Sequence, residues 1–158
     1  MRFDNGLSWL IGVVYENGDD LPTGGVESTE TWAANSHLTF ETDSWLFAAE
    51  LIYGETELRG GGQTIDTESL SGLLTANFAY SSQASVTGRL SFIGSDLGNA
   101  LASFEYEQFK STLAHNYAFT DNLLLVLEVN YSDAEFTQAG NQFELEQLTG
   151  AVELLFSF

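Results

Sequence analysis

The stretch that decides the fold is the last one, 151-AVELLFSF-158, in which Val152, Leu154, Phe156 and Phe158 alternate with Ala151, Glu153, Leu155 and Ser157 up to the final residue. The last residues of a soluble domain ordinarily fray, and nothing obliges them to alternate. Strict period two marks a β-strand with one apolar face. The same period recurs upstream. In 45-WLFAAELIY-53 the residues Trp45, Phe47, Ala49, Leu51 and Tyr53 share a face, opposed by Leu46, Ala48, Glu50 and Ile52. Leu123, Leu125, Leu127, Val129 and Tyr131 do likewise, as do Leu7, Trp9, Ile11, Val13 and Tyr15. Further segments at about 29–40, 68–80, 84–94, 101–119 and 142–158 bring the count to eight strands.

Connections between these segments alternate in length. NGDDLPTGGVES, LRGGGQTIDT, GSDLGNA and SDAEFTQAGNQ read as long polar loops, and ETDS, SSQ and FTDN as tight turns. An up-and-down meander then puts the long loops at one end and both termini at the other, with the last strand closing beside the first. Pro22, the only proline, falls in the first long loop, where no ladder hydrogen bond is lost. Sliding the chain by 78 residues superposes TDSWLFAAELIYGETEL on TDNLLLVLEVNYSDAEF and continues into the next strand. One domain over 1–158 is expected, with an internal duplication of about 1–79 and 80–158.

Composition restricts the partners. The chain carries 23 acidic against 4 basic residues, a formal net charge of −19, so a phosphate backbone is repelled and no nucleic-acid partner is expected. At 44% hydrophobic and 13% aromatic it is too apolar for a disordered acidic chain. There is no cysteine, hence no disulfide framework or thiolate metal site. The opening MRFDNG has neither a charged n-region nor an apolar h-region and reads as cytosolic or as a mature form restarted with Met. Nothing approaches the roughly 20 apolar residues of a spanning helix, which leaves strands as the means of crossing a bilayer.

Two barrels fit eight strands with one apolar face: a soluble carrier with that face inside, and a membrane barrel with it towards lipid. The mixed face is rich in small polar residues (Ser71, Thr75, Asn77, Thr87, Ser91, Thr149), whereas the apolar face carries Leu, Trp and Phe. Phe40, Trp45, Tyr80, Phe119 and Phe158 gather at the tight-turn ends, and Tyr15, Tyr53 and Tyr131 stand about eight residues further on. That interval approximates the apolar band of about 25 Å between the aromatic girdles of an outer-membrane barrel. The expected fold is therefore all-β, an eight-stranded antiparallel up-and-down transmembrane β-barrel.

A final strand with alternating Val152, Leu154, Phe156 and a terminal Phe158 resembles the C-terminal assembly signal of Gram-negative outer-membrane β-barrel proteins. The resemblance implies recognition by the barrel-assembly machinery, membrane lipid as surroundings and residence in the outer membrane. The strand count resembles the small OmpA- and OmpX-like barrels. The hairpins FTDNLLLVLEVNYSDAEF and FELEQLTGAVELLFSF are similar in style to the last strands of OmpL-like porins, over about a quarter of the chain.

No catalytic constellation, metal site or cofactor is expected: His37 and His115 both fall near tight turns, away from a loop rim that could hold substrate. The interior does collect charge. Counted from the tight-turn end, Glu50, Arg89, Glu128 and Glu153 stand at similar height on the inward face, with Glu16 and Lys110 as a second tier. Buried charges are tolerable when paired, and an eight-stranded interior is just wide enough for side chains. The expectation is thus a monomer with a largely plugged lumen and a structural or interaction role. A small cation-preferring pore, or a shortened or engineered piece of a larger porin, is the alternative, and a soluble ligand-binding barrel a distant third.

Overall fold

A computed structural model describes residues 6–19, 27–98, 103–138 and 140–157. It contains eight strands: β1 (Leu7–Asp19), β2 (Ser28–Glu41), β3 (Trp45–Gly60), β4 (Gln63–Ala79), β5 (Ala84–Gly98), β6 (Ser103–Thr120), β7 (Leu123–Gln138) and β8 (Asn141–Phe156). They form one antiparallel sheet in sequence order, each strand paired with the next. Among the described residues no strand pairing joins β8 to β1, where the sequence reading expects closure.

Three of the segments read as long loops are mostly strand. The β3–β4 hairpin runs on through Leu58 opposite Ile65 and Gly60 opposite Gln63 before it turns at Gly61 and Gly62. Both glycines hold positive φ, 60° and 75°, the handedness that a two-residue hairpin turn between right-twisted strands requires. Gly140, at φ 79°, plays the same part between β7 and β8. The extensions hold because apolar side chains continue on alternate positions: Phe136 packs on Tyr106 at 4.8 Å and on Phe104 at 6.4 Å. β3, β4 and β6 thus reach 16, 17 and 18 residues, well beyond the roughly 9–11 that cross a bilayer. Most of the remaining long loop, with Pro22, lies outside the described residues.

At the opposite end the turns are as short as expected. Thr42 N–H donates to the Trp45 carbonyl at 2.8 Å while Trp45 N–H donates to Thr42 Oγ1 at 3.0 Å. Between β6 and β7 the register slips at Ala118/Thr120, a bulge beside the turn. Asn122 of that turn ties down the end of β8, its Nδ2 donating to the Ser157 carbonyl at 2.8 Å.

The two halves of the sheet carry one pairing register. Leu7 opposite Phe40 recurs as Ala84 opposite Tyr117, and Tyr15 opposite Trp32 as Phe92 opposite Phe109, an offset of 77. Tyr53 opposite Leu70 recurs as Tyr131 opposite Leu148, an offset of 78. Phe40 opposite Phe47 recurs as Tyr117 opposite Leu125, shifted by 77 on one strand and 78 on the other. A uniform slide of 78 therefore aligns β3–β4 with β7–β8 and puts β1–β2 one residue out of step with β5–β6.

Cross-strand partners share a face, so the register sorts every side chain. Leu7, Phe40, Phe47, Ala76, Leu113 and Val129 form one row of the apolar face. Burial is slight: among the described residues the buried ones are Ala84, Ala114, Ala134 and Thr112, and no large side chain is fully enclosed. Val13, Leu148 and Val152 of the two outermost strands are 73–75% exposed. A single sheet has no second layer to cover it.

Candidate functional site: the polar face and its acidic rim

The polar face is a continuous lattice of short side chains. One row runs Ser8, Thr39, Ala48, Thr75, Arg89, Thr112, Asn130, Thr149, crossing all eight strands. Its members bond sideways rather than outwards. Thr112 Oγ1 donates to Asn130 Oδ1 at 2.6 Å, Asn77 Nδ2 donates to Thr87 Oγ1 at 2.7 Å, and Thr31 meets Thr56 at 3.1 Å. Ser8 and Thr39 share a further bond.

The charges expected in the lumen all lie on this face, but the structure does not unite them. Glu50 stands on β3 between His37 and Leu73, and Arg89 on β5 between Thr75 and Thr112. Glu128, on β7, accepts a hydrogen bond from Asn130 Nδ2 at 2.6 Å, and Glu153 of β8 stands opposite Val126. Glu16 is on β1 opposite Thr31; Lys110, five strands away on β6, lies between Ser91 and Ser132. Arg89 has Lys110 rather than a carboxylate as its diagonal neighbour across β5 and β6. The one ion pair among the described residues joins Arg59 to Glu57, at the far end of β3.

The expected aromatic positions fall into two belts on the apolar face. At the tight-turn end Trp45 stacks on Phe78 at 4.5 Å and on Phe47 at 5.3 Å, and Phe40 stacks on Phe47 at 6.5 Å. Tyr80 hydroxyl and His115 Nε2 are 2.6 Å apart, and Phe119 meets Tyr117 edge-on at 5.0 Å. At the other end Tyr15 stands opposite Trp32, which is tilted against Tyr53 at 5.2 Å, and Tyr131 stands opposite Leu148. Trp32 belongs to this belt although alternation alone did not single it out. Val152, Leu154 and Phe156 lie exposed on the apolar face of β8; Phe158 lies outside the described residues.

Beyond the upper belt the same face turns acidic. Glu55, Glu68, Asp96 and Glu105 stand directly opposite one another on β3 to β6. Glu107, Glu135 and Glu144 form a second such row on β6 to β8. The aromatic belt supplies donors to the first row and to Glu30 beside it. Trp32 Nε1 donates to Glu55 Oε2 at 2.8 Å, Tyr53 hydroxyl donates to Glu68 at 2.8 Å and also to Glu55, and Tyr15 donates to Glu30 at 3.3 Å. The Tyr53 hydroxyl, and after it the Trp32 indole, hold the Glu55 carboxyl below the usual carboxylate range. A cleft of about 910 Å³ opens here, with Glu55, Glu57, Asp66, Glu68, Asp96 and Glu105 in its lining. The local signal is an acid two residues beyond a belt aromatic, as in Tyr53–Glu55 and Tyr131–Asp133, and in Glu30 two residues before Trp32.

No protein-family pattern matches the chain, and no curated protein matches it. Solved structures do. The outer-membrane protein OmpT of Vibrio cholerae superposes with a TM-score of 0.66 at 10% identity, over 96% of this chain and 52% of that one. The alcaligin outer-membrane receptor FauA of Bordetella pertussis superposes with a TM-score of 0.56 at 16% identity, over 96% of this chain and 33% of that one. The eight-stranded sheet thus shares the fold of outer-membrane β-barrel proteins and spans about half the length of the first and a third of the second.

Proposed function

We propose that the chain lines a water-filled, cation-preferring passage through the outer membrane of a Gram-negative bacterium, as a stretch of barrel wall wider than eight strands. The observation that carries this reading is the polar row from Ser8 to Thr149, in which every member but Arg89 is a short side chain and Ser8–Thr39 and Thr112–Asn130 bond to each other along the sheet. The apolar face, with its two aromatic belts, is the lipid-facing side. The acidic rows of Glu55, Glu68, Asp96 and Glu105 at one mouth concentrate cations ahead of the passage. The reading is non-enzymatic, and Val152, Leu154 and Phe156 serve as the handle for barrel assembly.

A plugged eight-stranded lumen is the second reading. It requires Glu50, Arg89, Glu128 and Glu153 to meet across the interior, whereas among the described residues none of them forms an ion pair. Likeness to about half of a larger barrel also favours the wider wall. Planar-bilayer recordings of the folded protein separate the two. The passage gives stable steps with a reversal potential favouring cations; a folded protein that carries no current overturns the passage and restores the plug.

A further inference from the structure

Above the upper belt the two faces of the sheet exchange character. In 104-FEYEQ-108 the acids Glu105 and Glu107 belong to the acidic rows of the apolar face, so Phe104 and Tyr106 share the polar face with Gln108, Lys110 and Thr112. On β7 Glu135 stands opposite Glu107, and Phe136 stands opposite Tyr106 on the polar face. The row through Tyr106 runs Gly54, Ser69, Ser95, Tyr106, Phe136, so its side chains are short as far as β5 and aromatic from β6 onwards. The ring centroids of Tyr106 and Phe136 are 4.8 Å apart with their planes tilted by 38°, and those of Phe104 and Phe136 are 6.4 Å apart. All three side chains are half-buried. We propose that Tyr106 and Phe136, with Phe104 towards the loop end, form a docking site for organic ammonium ions at the mouth of the passage.

The face of an aromatic ring carries partial negative charge, and a cation within about 6 Å of the centroid is attracted to it. Two centroids 4.8 Å apart lie within that reach of a single cation. The surroundings select the sign of the ligand. Glu105, Glu107 and Glu135 each stand one residue along the strand from a ring, in a chain of net charge −19, so the potential about the rings repels anions and gathers cations. Lys110, the base on this face of β6, is four residues from Tyr106, about 13 Å of strand, which exceeds the screening length of about 8–10 Å. Hydration selects the class. A small inorganic ion gives up its water at a high cost, whereas an alkylated ammonium buries its methyl groups on the rings as it sets its charge over them.

The docking site rests on the passage reading, but binding is measured apart from conduction. Choline and its uncharged isostere, in which carbon replaces the nitrogen, share one shape and differ in charge. In calorimetric titrations of the folded protein, held in a polyoxyethylene detergent free of sugar and ammonium headgroups, choline should bind about tenfold more tightly than the isostere. Equal binding of the two overturns the proposal, and so does glucose binding as tightly as choline, which would make the rings a platform for neutral ligands. Phe136→Leu keeps the apolar bulk and removes the ring, and should weaken choline binding by about 2- to 30-fold. Tyr106→Phe keeps the ring and should leave the affinity within about twofold. An unchanged affinity in Phe136→Leu overturns the site, and the comparison of choline with its isostere on the unmodified protein decides the matter where a variant fails to fold. Choline binding by a protein that carries no current would keep the site and remove the passage, and a cation current through a protein that does not bind choline would do the reverse.

Discussion

Leu74 and Ser71 lie three residues apart on β4, on opposite faces of one sheet, and an arginine at each separates the two sides of the proposed wall. Leu74 stands opposite Ala49 and Leu90, midway between Phe78 in the lower belt and Leu70 beside Tyr53, and is 58% exposed. With lipid on that face, Leu74→Arg places a guanidinium near the bilayer midplane and costs about 2–4 kcal/mol. That is a factor of about 30 to 700 in the folding equilibrium. Ser71 points to the polar side, opposite Ile52 and Ile93. In a water-filled passage the new side chain extends into solvent, and Ser71→Arg costs below about 1 kcal/mol, as surface changes do. A packed eight-stranded interior has no room for it, and overpacking would cost about 1–3 kcal/mol. Urea unfolding in lipid vesicles, followed by the emission of Trp9, Trp32 and Trp45, measures both. Equal costs at the two positions would refute the water-filled side, and a larger cost at Ser71 would refute the assignment of faces altogether.

Three further outcomes are expected. The Glu55 carboxyl titrates below its ordinary value when folded, so its contribution is fully present above the unfolded carboxylate pKa and is lost as pH falls through the lower folded one. Unfolding midpoints should drop on acidification from pH 7 to 3, and Tyr53→Phe, which removes the main cause, should flatten that drop. Gly62→Ala should cost about 1–2 kcal/mol, read as a lower urea midpoint, because an L-residue resists the left-handed backbone at φ 75°. Asn122→Ala should release the end of β8 by removing the bond to the Ser157 carbonyl, at a cost of about 1 kcal/mol, with faster amide exchange over 152–157 and none over β3.

The sequence disclosed the strands and their faces because period two is a property of each segment alone. Trp45, Phe47 and Tyr53 could be set against Leu46, Ala48 and Glu50 without knowing any partner. Strand ends were less legible, since Gly60, Gly61 and Gly62 read as loop until Leu58 is seen facing Ile65 across the hairpin. Register was hidden for a related reason. A slide of 78 found β3–β4 in β7–β8 but missed β1–β2 in β5–β6, where the offset is 77. The charge cluster failed on stagger. Counting from the turns assumes that residues equally far along neighbouring strands lie side by side, yet the line of opposites that starts at Leu7 ends at Gly150, six residues before the end of β8. Arg89 accordingly finds Thr75 and Thr112 beside it, not Glu50.

The same accounting explains where a charge of −19 can be carried. Like charges directly opposite one another weaken a strand pair, and Glu55, Glu68, Asp96 and Glu105 repeat that arrangement over three successive pairs. Within the apolar band such a row would be prohibitive, and there the outward positions are Leu, Phe, Val and small residues. Above the belt it costs little, because water and counterions screen each carboxylate within about 8–10 Å at physiological ionic strength. Tyr15, Trp32 and Tyr53 mark the boundary between the two regimes. Their rings lie on the apolar side and their hydroxyl or indole donors reach Glu30, Glu55 and Glu68, so the aromatic belt also offsets part of the repulsion above it. On this face the aromatics and the acids act together, and the cation preference proposed for the mouth rests on the same residues as the proposed level of the wall.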